Sequence, residues 1–298
     1  MLRKLAAGAA FTAALALSGA AVAQDTPYRD QVATFVQPTD LGRFEALTAL
    51  LDRHGLAYEV ETFAGERNGQ PLEGRNVIVT LGEGERDLLL TAHYDAEMLD
   101  DGSLVEGVVD NAASAVIVAE VARRLKDADL DHRLVVIFFD QEELGLVGAQ
   151  RWVAAHGTDR IAAVVNSDVA AFGDTLMHSE HARDGFAPIL RAVRTVCAER
   201  AMSCLGYPVY PPSDDRVFTA AGVPNVSVGF QNRVGAHQMW LAFNGGETTG
   251  LAQDFIPEVF TLIHSRNDNM SRVEEGTLAL GADAYEAILR ELDETLGD

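Results

Sequence analysis

Four short stretches of this chain carry side chains that could do chemistry, and each lies beside a hydrophobic run. His93-Tyr94-Asp95 follows Leu88 to Ala92, and Asp110-Asn111 precedes a helical pattern. Glu142-Glu143 follows the apolar run Arg133 to Phe139, and Asp168 follows Ile161 to Val165. One imidazole and several carboxylates placed at the ends of strand-like runs is how an α/β enzyme gathers metal ligands at one edge of its sheet. His93 and Asp95 are two residues apart, so an extended chain puts them on one face. There Asp95 can accept a hydrogen bond from the second ring nitrogen of His93 and fix its tautomer.

Each of these residues has a duller reading. A His-x-Asp pair is commonly a surface hydrogen bond. Asp110, just before a helix, could be an N-cap, or a carboxylate bridging two ions about 3.5–4 Å apart. Adjacent Glu142 and Glu143 could complement a helix dipole. Their side chains diverge, however, so one can ligate a metal while the other reaches a water as general base. His264, beyond a long glycine-rich stretch, is unremarkable alone.

The elements that must position these groups alternate along the chain. Asp40 can cap a helix through Phe44, Leu47, Leu50 and Leu51 that ends at Gly55. Tyr58 to Phe63 alternates like a half-buried strand. Asn76 to Leu81 and Asp87 to Ala92 read as strands joined by a hairpin-type connection at Gly82-Glu83-Gly84-Glu85. Ala113 to Leu125 has a helical face, and Arg133 to Phe139 is a continuous apolar run, the mark of a buried central strand. The pattern continues with helices over 144–155, 186–200 and 278–296, and strands over 161–165 and 223–229. Alternation of this kind predicts one α/β domain, a central sheet with helices on both faces. Residues 231–255 read as an irregular loop carrying Met239, Trp240 and Phe243, placed as a wall of the substrate pocket at the rim of the site.

At 298 residues and 48% hydrophobic content the chain can bury a large core, and length alone allows one domain or two. It carries 23 basic against 45 acidic residues, a formal charge of −22, which argues against nucleic acid or an anionic membrane as partner. Arg3 and Lys4, the apolar stretch Leu5 to Leu17 and the site Ala21-Val22-Ala23 read as a signal peptide over residues 1–23. The mature chain, residues 24–298 with a lead-in over 24–39, is then expected to be exported, periplasmic or secreted, without membrane insertion. Cys197 and Cys204 could pair there or remain two buried thiols; a helix running past Cys204 would make the bridge hard. Gly102-Ser103-Leu104 lacks the second glycine of a nucleophile elbow, so serine hydrolysis is poorly supported.

Taken together the motifs are more specific than their parts. His93-Tyr94-Asp95, Gly107-x-x-Asp110-Asn111-Ala112-Ala113-Ser114, Phe138-Phe139-Asp140-x-Glu142-Glu143-Leu144-Gly145, Asn166-Ser167-Asp168 and His264-Ser265 occur in this order. The series resembles the exported di-zinc aminopeptidases of metallopeptidase family 28, over most of the chain after about residue 40. The resemblance implies a single three-layer domain, a mixed, mostly parallel sheet between helices, acting on peptide substrates. It implies two Zn²⁺ ions, with Co²⁺ or Mn²⁺ as possible substitutes, and a monomer is expected. His93 and Asp168 would hold one ion, Glu143 and His264 the other, and Asp110 both. Glu142 would be the general base, Asp95 the residue orienting His93, and the Asp110-Asn111 peptide cis. Tyr210, upstream of Ser213-Asp214-Asp215, matches a tyrosine that bonds the developing oxyanion in some members, although Tyr207 stands close by. Asp215 replaces a histidine of the family pattern, and Asn267-Asp268-Asn269 departs from it beside His264. Glutaminyl cyclases, carboxypeptidase relatives and a non-catalytic binding ectodomain are the rival readings. Asn111 to Ser114 argues against the first, and the filled ligand positions against the last.

Overall fold

The computed structural model describes residues 26–67, 69–183, 185–246, 249–252 and 254–297. The expected signal peptide lies outside them. In chain order the elements are α1 (Tyr28–Ala33), α2 (Asp40–His54), β1 (Glu59–Arg67), β2 (Gln70–Leu81), β3 (Asp87–His93), α3 (Ala113–Leu125), β4 (Arg133–Phe139), α4 (Val147–His156), β5 (Ile161–Ser167), β6 (Thr175–Ser179), α5 (Ala187–Glu199), β7 (Ser203–Tyr207), α6 (Asp215–Ala220), β8 (Asn225–Gln231), α7 (Arg233–Asn244), α8 (Glu258–Leu262) and α9 (Glu275–Gly297). The strands form one sheet in the order β1-β2-β4-β3-β5-β8-β6-β7. Its centre is parallel, through the pairs β4-β3, β3-β5 and β5-β8, and antiparallel strands flank it on both sides.

Strand β4 shows why the sheet is covered on both faces. Leu134, Val136 and Phe138 point into the larger core with α2, α3, α5 and α9, while Val135, Ile137 and Phe139 point into a second core with Ala149 and Trp152 of α4 and Phe218 of α6. A period-2 backbone whose residues are all apolar has to be sandwiched in this way. The parallel strands end along one edge, so β3 delivers His93 there opposite Phe139 of β4. Chain emerging from β4 and β5 then supplies Glu142, Glu143 and Asp168 at the same edge.

Some expectations need correction. Thr39, not Asp40, caps α2: its side chain accepts the Gly42 N–H. The Gly82–Glu85 segment does not close a hairpin, because β4 is inserted between β2 and β3; the hairpin is β1-β2. That segment crosses the start of β4 so closely that a Cβ on Gly84 would stand 2.3 Å from the Arg133 nitrogen. Residues 141–146 form a turn with Gln141 and Leu146 at positive φ, so α4 starts at Val147. Residues 231–255 are not an irregular loop: Arg233–Asn244 is a helix whose cap, Asn232, accepts the Gly235 N–H. Helix α5 stops at Glu199, which lets Cys197 reach Cys204 on β7 in a disulfide with the Cα atoms 6.2 Å apart. The sequence patterns do not announce strands β6 and β7 or helices α1, α6 and α8.

Gly84→Ala tests the crossing. With backbone on the far side of the contact the clash cannot be relieved by a side-chain rotation, so unfolding stability should fall by about 1–3 kcal/mol. Denaturant titration measures it; an unchanged midpoint would mean that the connection does not pass over β4.

Candidate metal centre

Five residues expected as ligands converge at the carboxyl edge of the sheet. His93 Nε2 lies 3.1 Å from Asp110 Oδ1 and 3.7 Å from Asp168 Oδ2. On the other side of Asp110, His264 Nε2 lies 3.3 Å from its Oδ2 and 3.1 Å from Glu143 Oε2. Asp110 therefore turns one oxygen to each histidine. Although these groups touch, both ring nitrogens of His93 and Oε1 of Glu143 are buried without a hydrogen-bond partner. Atoms bound to a tetrahedral zinc at about 2.0–2.1 Å stand about 3.3 Å from one another, so the side chains are spaced as co-ligands and aimed at points between them. The nitrogen and oxygen donors suit zinc, and the geometry fits it.

Proximity alone would group Glu142 with His93 and Asp168, and Asp110 with Glu143 and His264. The 3.1 Å approach of His93 to Asp110 is the tighter fact, and it makes Asp110 common to both groups.

The backbone around these ligands is held by buried polar side chains. Asp268 accepts from three successive N–H groups, those of Val108 (2.8 Å), Val109 (2.7 Å) and Asp110 (3.0 Å). The Asp110-Asn111 peptide is cis, and so is Asp168-Val169. Arg43, fully buried on α2, donates to the carbonyls of Phe35, Tyr94, Asp95, Glu106 and Gly107. It thereby joins the loop after His93 to the loop before Asp110. Asp95 Oδ1 is 3.3 Å from His93 Nδ1, and the Asp95 carboxylate also accepts the N–H groups of Glu142 (3.1 Å) and Glu143 (3.2 Å). One aspartate thus fixes the backbone of both glutamates and stands against the imidazole.

Crowding of acids dominates the electrostatics. Burial, then the charges of Asp214, Asp168 and Asp110, pushes Glu142 up to about 10 against the opposing pull of His93. Burial and Asp110 push Glu143 up to about 8, with His264 opposing. Burial and Asp110 also raise Asp168. Contacts with Asp110 and Glu143 lift His264 to about 11. For His93, burial favours the neutral ring but is outweighed by Glu142, Asp110, Asp168 and Asp95, which hold it well above the ordinary value. Burial would raise Asp110, yet His264 and His93 outweigh it and leave its carboxyl well below the usual range.

A cavity of about 230 Å³ opens beside these residues, lined at its metal end by Asp110, Glu142, Asp168 and His264 and elsewhere by apolar side chains from β6, α7 and α8. Met239 and Phe243 line it, one helical turn apart on α7, as expected. Trp240 does not: its indole donates to the Gly206 carbonyl at 3.0 Å, on the face of α7 turned to β7. Tyr210 lines the cavity with its hydroxyl donating to the Asp168 carbonyl at 3.3 Å, whereas Tyr207 is buried against the Ala236 carbonyl. Asp215 accepts the Ser213 N–H and stays out of the ligand cluster. Arg43 went unforeseen, although a charged residue on the inner face of an apolar helix was the available signal. Asp268, seen only as a departure from a pattern, proves to be the clamp on Asp110.

A parallel-centred α/β sheet that presents two histidine–carboxylate groups sharing one aspartate belongs with the metal-dependent hydrolases of the zinc-peptidase fold. The sequence profile of Peptidase family M28 matches residues 76–288, and the chain belongs to that family, whose metal is zinc. No curated protein sequence matches it. Among solved structures it is similar to a Zn-dependent exopeptidase from Parabacteroides distasonis (17% identity, TM-score 0.66, 89% of this chain and 97% of that one). It is also similar to a Porphyromonas gingivalis glutaminyl cyclase (22%, 0.64, 89% and 98%). A third likeness is to a Bacillus subtilis zinc aminopeptidase (19%, 0.56, 74% of this chain), of whose length the chain spans 50%.

Two measurements test the centre. Asp268→Asn turns an N–H towards an N–H, so it should cost about 1–3 kcal/mol of stability and weaken zinc binding about 10–100-fold. Normal zinc affinity in a folded variant would show that the clamp does not serve the metal. The second is the pH dependence of the metal-free protein. Glu143, raised from 4.5 to about 8, and His264, raised from 6.5 to about 11, contribute stability that is present below their unfolded values and lost as pH climbs through the folded ones. Asp110, lowered, loses its contribution only in acid. Metal-free protein should therefore melt at a lower temperature at pH about 8 than at about 5, and zinc should raise the melting temperature more at the higher pH. The opposite slope without metal would refute the crowding.

Proposed function

We propose that this metallopeptidase is an aminopeptidase with two zinc ions, one held by His93 and Asp168, the other by Glu143 and His264, and both by Asp110. The observation that carries the reading is the division of Asp110 between the two histidines, Oδ1 at 3.1 Å from one and Oδ2 at 3.3 Å from the other. When bound, zinc supplies Lewis acidity that polarises a carbonyl and makes water nucleophilic near neutral pH.

The chain supplies the rest. With bound metal offsetting the neighbouring acids that raise it, Glu142 would be ionised, take the proton of the attacking water and deliver it to the leaving amine. Its main-chain N–H is held by Asp95, which keeps its carboxyl next to the cavity while Glu143 turns to the ligand cluster. Asp95 stands against His93 Nδ1, and Tyr210 lines the cavity with its hydroxyl on the Asp168 carbonyl, from which it would have to turn to serve a developing oxyanion. The apolar wall formed by Met239, Phe243, Val259 and Phe260 favours an apolar side chain on the residue released. A volume of about 230 Å³ lies below the range of about 300–1,000 Å³ typical of whole drug-sized ligands. It suits one residue at a chain end. Action outside the cytoplasm is supported by the Cys197–Cys204 disulfide and by the leader-like residues 1–23.

Glu142→Gln and Glu143→Gln separate the roles of two identical neighbours. The first should keep near-normal zinc content while turnover falls at least about 10²–10⁴-fold. The second should lose zinc along with activity and recover part of it on zinc addition. Glu142→Gln with both metals and most of its activity would refute the base assignment. Release of amino acids from free but not N-blocked peptides checks the aminopeptidase reading; equal cleavage of both would overturn it.

A further inference from the structure

Gln141, the residue before Glu142, combines two features that ordinarily count against a side chain. Its backbone is left-handed, at φ 61°, a region that glycine occupies freely and a long side chain only at a cost. Its side chain is buried, the residue 2% exposed, yet neither amide atom, Oε1 or Nε2, has a hydrogen-bond partner. Backbone outliers of this kind persist where the surroundings over-determine them, and they gather at functional sites.

The surroundings here are the β1-β2 arm. Gly65 of β1 pairs with Leu72 of β2, and Gly74 stands two residues further along β2, so the two glycines are diagonal neighbours on one face of the hairpin. A Cβ on Gly65 would overlap Oε1 of Gln141, and one on Gly74 would lie 2.9 Å from its Nε2. The amide therefore lies against hairpin backbone that the two glycines leave bare, and it is held there by shape. The arm grips the same turn from a second side, because the Asp140 carboxylate accepts the Arg75 N–H at 2.8 Å through one oxygen and the Gln141 N–H at 2.9 Å through the other. On the far side the Gln141 carbonyl accepts the Val147 N–H at 3.0 Å, which joins the turn to the start of α4. What this seat fixes is the backbone of Gln141, and that backbone sets the direction in which Glu142 leaves.

We infer that Gln141 is a positioning residue, seated on the β1-β2 arm, that aims the Glu142 carboxyl at the water to be activated; the inference rests on the aminopeptidase reading, in which Glu142 is the base. The test compares zinc-loaded wild type with four variants on the leucine, methionine and phenylalanine p-nitroanilides. Gln141→Gly accepts the left-handed backbone but empties the seat, so kcat should fall about 10–100-fold while KM and zinc content stay near the wild type. Gln141→Met fills the seat again without an unpaired amide, and should restore kcat with an unfolding temperature at least that of wild type. Gly65→Ala displaces the amide and should lower kcat as Gln141→Gly does. Joined to Gln141→Gly it should cost nothing more, since the added methyl then meets no side chain. Wild-type kcat in folded Gln141→Gly overturns the inference, as do an equal loss in Gln141→Met or additive losses in the double variant. Should either Gly65→Ala or Gln141→Gly fail to fold, the other decides against Gln141→Met. Any of these contrary results with an active wild type overturns this inference alone. A wild type that cleaves none of the three substrates overturns the aminopeptidase reading and this inference with it.

Discussion

Everything in the catalytic half of this molecule is arranged around the need to keep mutually repelling carboxylates within a few ångströms of one another. Asp110 sits between His93 and His264, Glu142, Glu143 and Asp168 stand around it, and Asp95 and Asp268 lie just behind. Left alone, such groups would protonate or separate, because burial removes the water that would screen them. The chain prevents separation by fixing the main chain that carries them. Asp268 engages three consecutive N–H groups of the Asp110 loop. Asp95 engages the N–H groups of both glutamates, and Arg43 ties the carbonyls of the two loops together. The positive charge that would balance the cluster is supplied only in part by the guanidinium of Arg43 and the two imidazoles. A bound dication removes the remaining conflict, and the scaffold is preorganised to receive one.

How much of this was legible in the sequence depends on whether the controlling interaction is local. The ligands were legible because each follows or precedes a run buried on both faces, and β4, with one set of alternate residues in each core, can only be an interior strand. The order of strands was not. Nothing within residues 76–92 announces that β4 will lie between β2 and β3, since that choice is made by packing over a span of about sixty residues. Strand β7 is short and half-exposed at the edge of the sheet, so it lacks the apolar signature that betrayed the central strands. Helix α7 was masked by glycines 235 and 245. Its true signal was the helical spacing of Ala236, Met239 and Phe243, and misreading it put Trp240 in the pocket when that ring faces β7 instead. Asp268 could not have been assigned from sequence, because its partners lie some 160 residues away.

The second half of the site is built on different terms. Its walls come from β6, α7, α8 and the segment 209–213, and the last three are also stitched to one another. Asn244 at the end of α7 accepts the Val209 N–H at 2.7 Å and donates to the Val209 carbonyl at 3.0 Å, fixing the approach to Tyr210. The Cys197–Cys204 bridge fastens β7, from which that segment departs, to α5. An edge strand with one paired side gains most from such a staple, since half of its backbone groups contribute nothing to the sheet.

This division separates two kinds of precision. Metal ligands have to stand within tenths of an ångström of their places, and here they are fixed by buried, charge-assisted bonds to the backbone, which tolerate little change. A pocket for a side chain needs shape and a few polar contacts, and here it is lined by methionines and phenylalanines whose rotamers can adjust. Substitutions on α7 and α8 can therefore alter which side chain fits without disturbing the carboxylates, whereas a change at Asp95, Asp268 or Arg43 moves several ligands together.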